Sequence, residues 1–268
     1  MTAAVDDLLL RERRGPVLVA TINRPDKGNA LSRPVLAALD ALVDDLTAAE
    51  ATQASDRARA LVLTGAGEKA FSAGADITEL DGITGSGARE QMRLGQAIFD
   101  RIEQLPLLVV AAVNGVAFGG GLELAMAADM RIAAPGARLA QPEITLGNLP
   151  GWGGTQRLPR LIGRGRATEL ILSGEPVDAG SAAAMGLVNR VAEDCLGEAV
   201  RFATGVAARN PAAVRGAKLA IHIGLTAGPA AGLLVEADAV AECCQTPEQR
   251  AAVQAFLNRR RSPVPPQA

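Results

Sequence analysis

Aromatic residues and histidine are what this 268-residue chain has least of. It holds no tyrosine, one tryptophan, five phenylalanines and one histidine. Stacking on nucleic-acid bases needs aromatic platforms, and tracking a phosphate backbone needs surplus basic charge. Aromatics are 2% of the chain, and Lys+Arg 27 against Asp+Glu 29 leaves a net charge of -2. Both routes to nucleic acid are disfavoured. The lone histidine, His222, cannot form a multi-histidine metal cluster, and nothing near it in sequence supports a Ser-His-Asp triad. The three cysteines, Cys195, Cys243 and Cys244, have no metal-ligand spacing, so no metal is expected. So few thiols suit a reduced, cytoplasmic compartment. The first residues include Asp6 and Asp7 and lack a basic-then-apolar leader pattern.

Several signatures are also missing. No G-x-G-x-x-G follows a strand, no G-x-x-x-x-G-K-[ST] occurs, and no G-x-S-x-G elbow is present. Any chemistry must rest on carboxylates and backbone donors. The single long run of low charge, Leu105 to Leu122, has a membrane-like length. It contains Pro106, Asn114 and four glycines, and Glu123 and Asp129 follow it. A buried strand leading to a buried helix is expected instead, with no membrane span.

With 49% hydrophobic residues, the chain can bury a large core. Val17–Ile22, Ala60–Leu63, Leu107–Val113, Met130–Ala134 and Leu187–Val191 read as strands. Helices are expected from Ser32-Arg33-Pro34 to about Glu50, over Arg89–Leu105, and over Leu122–Asp129. Asp81–Gly87 reads as a Gly-rich loop, Ala140–Glu143 as a loop, and Thr155–Ile162 as helical. From Cys195 onward the pattern is helical. Alternating strands and helices predict an α/β fold with mostly parallel sheet.

The chain is organised around Asn114 to Glu123, N-G-V-A-F-G-G-G-L-E. Three glycines, Gly119 to Gly121, stand where strand turns into helix, and a carboxylate follows within one turn. A helix opening there leaves N–H groups unpaired and favours negative charge. The stretch fits two uses: a tight turn against a neighbouring strand, or donors for an oxyanion beside an acid or base. A second Gly-rich loop, Gly147 to Gly154, follows a second carboxylate, Glu143, whose backbone is constrained by Pro142.

Four segments taken in order resemble the enoyl-CoA hydratase (crotonase) family. They are Asn23-Arg24-Pro25 through Asn29-Ala30-Leu31; Phe71-Ser72-Ala73-Gly74-Ala75-Asp76-Ile77; Asn114-Gly115 through Leu122-Glu123-Leu124; and Gln141-Pro142-Glu143 through Pro150-Gly151-Trp152-Gly153-Gly154-Thr155-Gln156-Arg157-Leu158. The resemblance runs from about residue 8 to 262. It implies a ClpP-like superhelix of ββα repeats over 1–192, with a helical oligomerisation region over 193–268 that builds a homotrimer or homohexamer. It implies an acyl-coenzyme A thioester as substrate and no separate cofactor. The backbone N–H groups of Ala73 and Gly120 would hold the thioester oxygen. Glu123 would activate water and Glu143 would protonate Cα, giving reversible syn hydration of a 2-trans-enoyl-CoA to the 3-hydroxyacyl-CoA in fatty-acid β-oxidation or related acyl-CoA breakdown. Lys27, Ala30 and Lys69 would lie near the nucleotide, with a basic residue among Arg259 to Arg261 reaching its phosphates. Gly74, Ala75, Asp76, Ile77, Gly119, Pro150, Gly151 and Trp152 would line the acyl site, Gly151 helping to position the water.

Taken singly, Glu123 also fits a helix-start carboxylate and Glu143 a loop salt bridge. Relatives with other activities often lack one of the two, so the pair favours a hydratase over an isomerase or hydrolase. A hydratase for a branched or aromatic acyl-CoA stays open, as does a non-catalytic binding protein, which balanced charge and intact carboxylates disfavour. Trp152 departs from the smaller residue often found there in the family. It either packs beneath the loop or crowds the acyl pocket.

Overall fold

The computed structural model describes residues 5–52, 54, 56–79 and 81–261, with side chains described between 7 and 258. Its contacts divide the chain into two compact units, Met1–Val206 and Ala207–Ala268.

The first unit opens with α1 (Val5–Leu8), β1 (Leu9–Arg14), β2 (Val17–Ile22) and α2 (Arg33–Ala51). Three strand–strand–helix passages follow. They are β3 (Ala60–Gly65), β4 (Ala70–Ser72) and α3 (Gly85–Glu103); β5 (Leu108–Val113), β6 (Val116–Phe118) and α4 (Gly120–Ala127); then β7 (Met130–Ala133), β8 (Arg138–Ala140) and α5 (Gly154–Ile162). After them come α6 (Arg164–Ser173), β9 (Val177–Asp178), α7 (Ala179–Ala184), β10 (Arg190–Val191) and α8 (Cys195–Ala207). The first strand of each passage joins a six-stranded sheet, order β1-β2-β3-β5-β7-β10. The second joins a four-stranded sheet, order β4-β6-β8-β9. The pairs β1–β2 and β8–β9 are antiparallel and the others parallel.

The inner strands β2, β3, β5 and β7 of the large sheet are buried on both faces, and β2, β3 and β5 therefore read as continuous apolar runs. In β3, Leu61 and Leu63 face a core shared with α2 and α3, while Ala60 and Val62 face Cys195, Ala199 and Ala203 of α8. The run from Leu105 to Leu122 is β5, β6 and the start of α4. Among the described residues no helix is long and apolar enough to cross a membrane.

Three differences from the expectation have a clear bearing on the fold. Strand β1, L-L-R-E-R-R, buries only Leu9 and carries no alternation to read. It is an edge strand, and its charged side chains suit an edge that must not recruit another chain. Helix α3 begins at Gly85, inside the expected loop, because Thr84 Oγ1 accepts the Gly87 N–H at 3.2 Å and caps the first turn. The expected strand over Leu187–Val191 shrinks to the two residues of β10.

The second unit holds α9 (Pro211–Ala227), α10 (Pro229–Gln245) and α11 (Pro247–Arg261). Glycines let α9 and α10 approach closely: a Cβ on Gly232 would lie 2.8 Å from Gly224 Cα. Leu225, Leu233 and Leu234 remain exposed.

Close backbone approach also fixes α4. A Cβ on Gly121 would overlap the Ser72 carbonyl oxygen and lie 2.8 Å from Ser72 Cβ. Helix propensity alone favours alanine there by about 1 kcal/mol. A clash against fixed backbone costs about 1–3 kcal/mol and outweighs it. Gly121→Ala should therefore lower the unfolding free energy in a urea titration; an unchanged or raised midpoint would refute this packing.

Candidate active site

The site forms where three loops meet the N-termini of α4 and α5. The first loop is fastened from within. Asn29 has a φ of 56° and is buried; its Oδ1 accepts the Arg24 N–H (3.0 Å), and its Nδ2 donates to Ala66 O (3.0 Å) and Ala70 O (2.7 Å). Arg24 Nη1 donates to Ala30 O (2.8 Å) and Asp76 Oδ2 (2.9 Å). Hydrogen bonds from Thr78 and Arg24 hold the Asp76 carboxyl below its ordinary range. Asp76 is thus a strut of the loop.

This network corrects one expectation. The Ala73 N–H donates to Gly28 O at 2.8 Å, so it is not free for a ligand. Leu31 then bonds the segment on either side of Ala75: Leu31 N–H donates to Gly74 O (2.8 Å) and Asp76 N–H donates to Leu31 O (3.2 Å). Ala75 itself faces the other way. Its N–H donates to no described residue and lies 3.4 Å from where a Gly120 Cβ would sit. Gly74, with a φ of 106°, lets this segment press against β6 and the start of α4. The Gly120 N–H, at the first position of α4, is likewise unpaired among the described residues. Ala75 and Gly120 are the pair of open donors.

Glu123 lies one turn into α4 and is 2% exposed. Its Oε1 accepts the N–H groups of Trp152 and Gly154, both at 2.7 Å. Gly154 opens α5, so the positive end of that helix meets the carboxylate. Burial, and to a lesser degree Glu143, raise the Glu123 pKa to about 7 against the opposing pull of the two N–H donors and Arg157. Glu143 stands in the 3-10 turn Pro142–Leu146, and burial raises its pKa to about 7 as well. The buried Gln141 amide lies against it: turned nitrogen-first, it donates to Oε1 (2.9 Å) and Oε2 (3.1 Å). With Glu143 protonated, the same amide turned oxygen-first accepts the acid proton.

Both glutamates border one cavity of about 120 Å³, together with Ala73, Gly74, Ala75, Ile77, Gly119, Gly120, Gly151 and Trp152. Pro150 borders an adjoining cavity of about 780 Å³. Asp76, Lys27, Ala30 and Lys69 border neither; Lys27 and Lys69 are exposed. The side chains of Arg259 to Arg261 lie outside the described residues. No group of three or more His, Cys, Asp or Glu placed to hold a metal occurs among the described residues.

Sequence reasoning missed three contributors. Arg157 Nη1 donates to Trp152 O (3.0 Å), while its Nη2 and Nε meet Asp100 (2.5 Å) and Glu103 (2.8 Å) of α3. It anchors the loop that holds Glu123. Gln141 sat inside a quoted motif, yet its contact with Glu143 depends on a turn of the chain. Met92 of α3 borders both cavities, and a half-buried helical methionine carries no signal of that in sequence.

The comparisons with known proteins agree with this architecture. The family model for enoyl-CoA hydratase/isomerase matches residues 12–264. The short-chain-enoyl-CoA hydratase of Clostridium acetobutylicum is 40% identical over 94% of this chain and 95% of its own. The crotonyl-CoA hydratase of Syntrophomonas wolfei is 40% identical over 97% and 98%. The crystal structure of an enoyl-CoA hydratase from Bacillus anthracis superposes with a TM-score of 0.87 at 38% identity, covering 94% of this chain and 96% of that one. The protein has the α/β crotonase fold, with two sheets and a helical C-terminal region. It belongs to the enoyl-CoA hydratase/isomerase (crotonase) family.

The raised carboxyl pKa values have a stability consequence. A group that binds its proton more tightly when folded stabilises the fold at low pH and loses that contribution as pH rises through the folded value. For Glu123 and Glu143 the window runs from the ordinary 4.5 up to about 7. Glu123→Gln keeps an oxygen for the two N–H donors and removes the titration. The fall in unfolding free energy between pH 5 and pH 8 should be smaller in this variant than in the parent; equal falls would contradict the burial argument.

Proposed function

We propose that the protein is an enoyl-CoA hydratase, a hydro-lyase adding water reversibly across the double bond of a 2-trans-enoyl-CoA. The observation that carries this reading is the pairing of Glu123 and Glu143 on one cavity beside two unpaired N–H groups. The thioester oxygen would accept the N–H groups of Ala75 and Gly120. Each such donor is worth about 100-fold or more in rate, because it meets charge that develops as the enolate forms.

The proton positions follow from the surroundings of each carboxyl. Glu123, with two N–H donors on one oxygen, is the better carboxylate and acts as base toward water. Glu143 holds the proton, which the Gln141 amide accepts when turned oxygen-first. The water oxygen bonds to Cβ as Glu123 takes one water proton. Glu143 gives its proton to Cα on the same face, and the C=C electron pair becomes the new C–H bond. Return of that proton from Glu123 to Glu143 restores the pair, and the net change is one water added. Carboxyl pKa values of about 7 suit this exchange, since a proton donor or acceptor works best when matched to the operating pH.

Lys27 and Lys69, exposed and cationic, suit the phosphates of coenzyme A. We place the reaction in acyl-CoA breakdown, in the cytoplasm, and assign the C-terminal helices to assembly of trimers or pairs of trimers; the exposed Leu225, Leu233 and Leu234 support that role.

Loss of conjugated-thioester absorbance with crotonyl-CoA tests the activity. Glu123→Gln and Glu143→Gln should each lower kcat by about 100- to 10,000-fold. The parent's kcat/KM should peak near pH 7, falling in acid as Glu123 gains a proton and in base as Glu143 loses one; the two apparent pKa values belong to the pair. Near-parental rates in either variant would overturn the mechanism. Absence of turnover with every straight-chain enoyl-CoA would overturn the activity.

A further inference from the structure

Trp152 reaches the site twice. Its backbone N–H holds Glu123, and its indole borders the small cavity. The side chain is 1% exposed and wedged between α3 and α4. A Cβ on Gly95 of α3 would lie 2.7 Å from its Cε2, and a Cβ on Gly120 would lie 2.5 Å from its Cε3. Phe99 meets the ring edge-on, with centroids 5.6 Å apart. The indole therefore fills all the space behind the Gly120 donor, on rigid packing that leaves it nowhere to retreat.

The two cavities show which side of the site is closed. Met92, Glu143 and Gly151 are among the seven residues that line both. Trp152, Gly120 and Ala75 border only the small one. A thioester held at Ala75 and Gly120 thus has an exit for its tail past Met92 into about 780 Å³. Around the carbons next to the thioester it has about 120 Å³ and an aromatic wall.

Resting on the acyl-CoA reading above, we propose that Trp152 is a specificity-determining wall that admits enoyl thioesters unbranched at Cα and excludes those carrying an α-methyl group. Selection acts at the double bond, while the straight tail is left free to extend. One added methylene in a fitted apolar pocket changes kcat/KM by about 10- to 200-fold. A wall backed by Phe99 and Gly95 lies at the upper part of that range.

The test compares crotonyl-CoA with (E)-2-methylcrotonyl-CoA in the parent, Trp152→Ala and Trp152→Phe. The parent should prefer the unbranched substrate by about 30-fold or more in kcat/KM. Trp152→Ala should narrow that preference at least tenfold, with Trp152→Phe between the two. Trp152→Phe, which keeps an aromatic ring in the packed space, keeps the comparison available if Trp152→Ala does not fold. The same ratio is read without turnover as Kd for butanoyl-CoA and 2-methylbutanoyl-CoA by calorimetry. Absent hydration with a retained Kd preference would sink the hydratase reading and keep the wall. Hydration with equal preference in parent and variants, in both kcat/KM and Kd, would sink the wall and keep the hydratase.

Discussion

The two N–H bonds from Trp152 and Gly154 to Glu123 Oε1 fasten the start of α5 to the first turn of α4. The rest of the cleft depends on that junction. It places one helix N-terminus against a carboxylate and leaves the other, at Gly120, open for an incoming charge. It also seats the Trp152 indole behind Gly120, so donor and carboxylate are held by one residue. Arg157 secures the loop from the far side through Trp152 O and the acidic residues of α3. Its side chain is nearly buried, while Asp100 and Glu103 reach solvent, so it is the hydrogen bond to Trp152 O that ties it into the loop.

Burial of Glu123 and Glu143 is a cost that the fold accepts for reactivity. An exposed carboxyl is ionised at neutral pH and cannot donate a proton. Enclosed with little water, the same group holds its proton to about pH 7. The glycines around them serve the same end. Gly119, Gly120 and Gly154 let a carboxylate or an aromatic ring stand where a Cβ would be, which keeps the cavity small.

Much of the core was legible. Strands β2, β3 and β5 are buried on both faces, so their runs are continuous and apolar. Helix α2 started at Ser32 with proline just inside, although the Ser32 side chain makes no capping bond. The edge strand β1 was illegible because five of its six side chains face solvent and its register is set by backbone pairing with β2. At the site, Glu123 and Glu143 stood out through motif spacing, whereas the N–H that the fold leaves open belongs to Ala75 and not to the expected Ala73, which bonds Gly28 O. Strand alternation gives Ala73 and Ala75 the same direction; the positive φ of Gly74 breaks that alternation and turns only Ala75 toward Gly120.

Sequence alone determined the alternation of strands and helices, the glycine-rich helix starts, and the two carboxylates that the chain presents to chemistry. These are local matters of side-chain period, backbone freedom and residue type. Tertiary structure decided which N–H groups are free, how strongly the carboxyls hold their protons, and that the indole lies behind Gly120. Those properties depend on what each group meets across the fold: Gly28 at Ala73, Trp152 and Gly154 at Glu123, Gly95 and Phe99 at Trp152. Partners separated by tens of residues are set by packing, which no local pattern records.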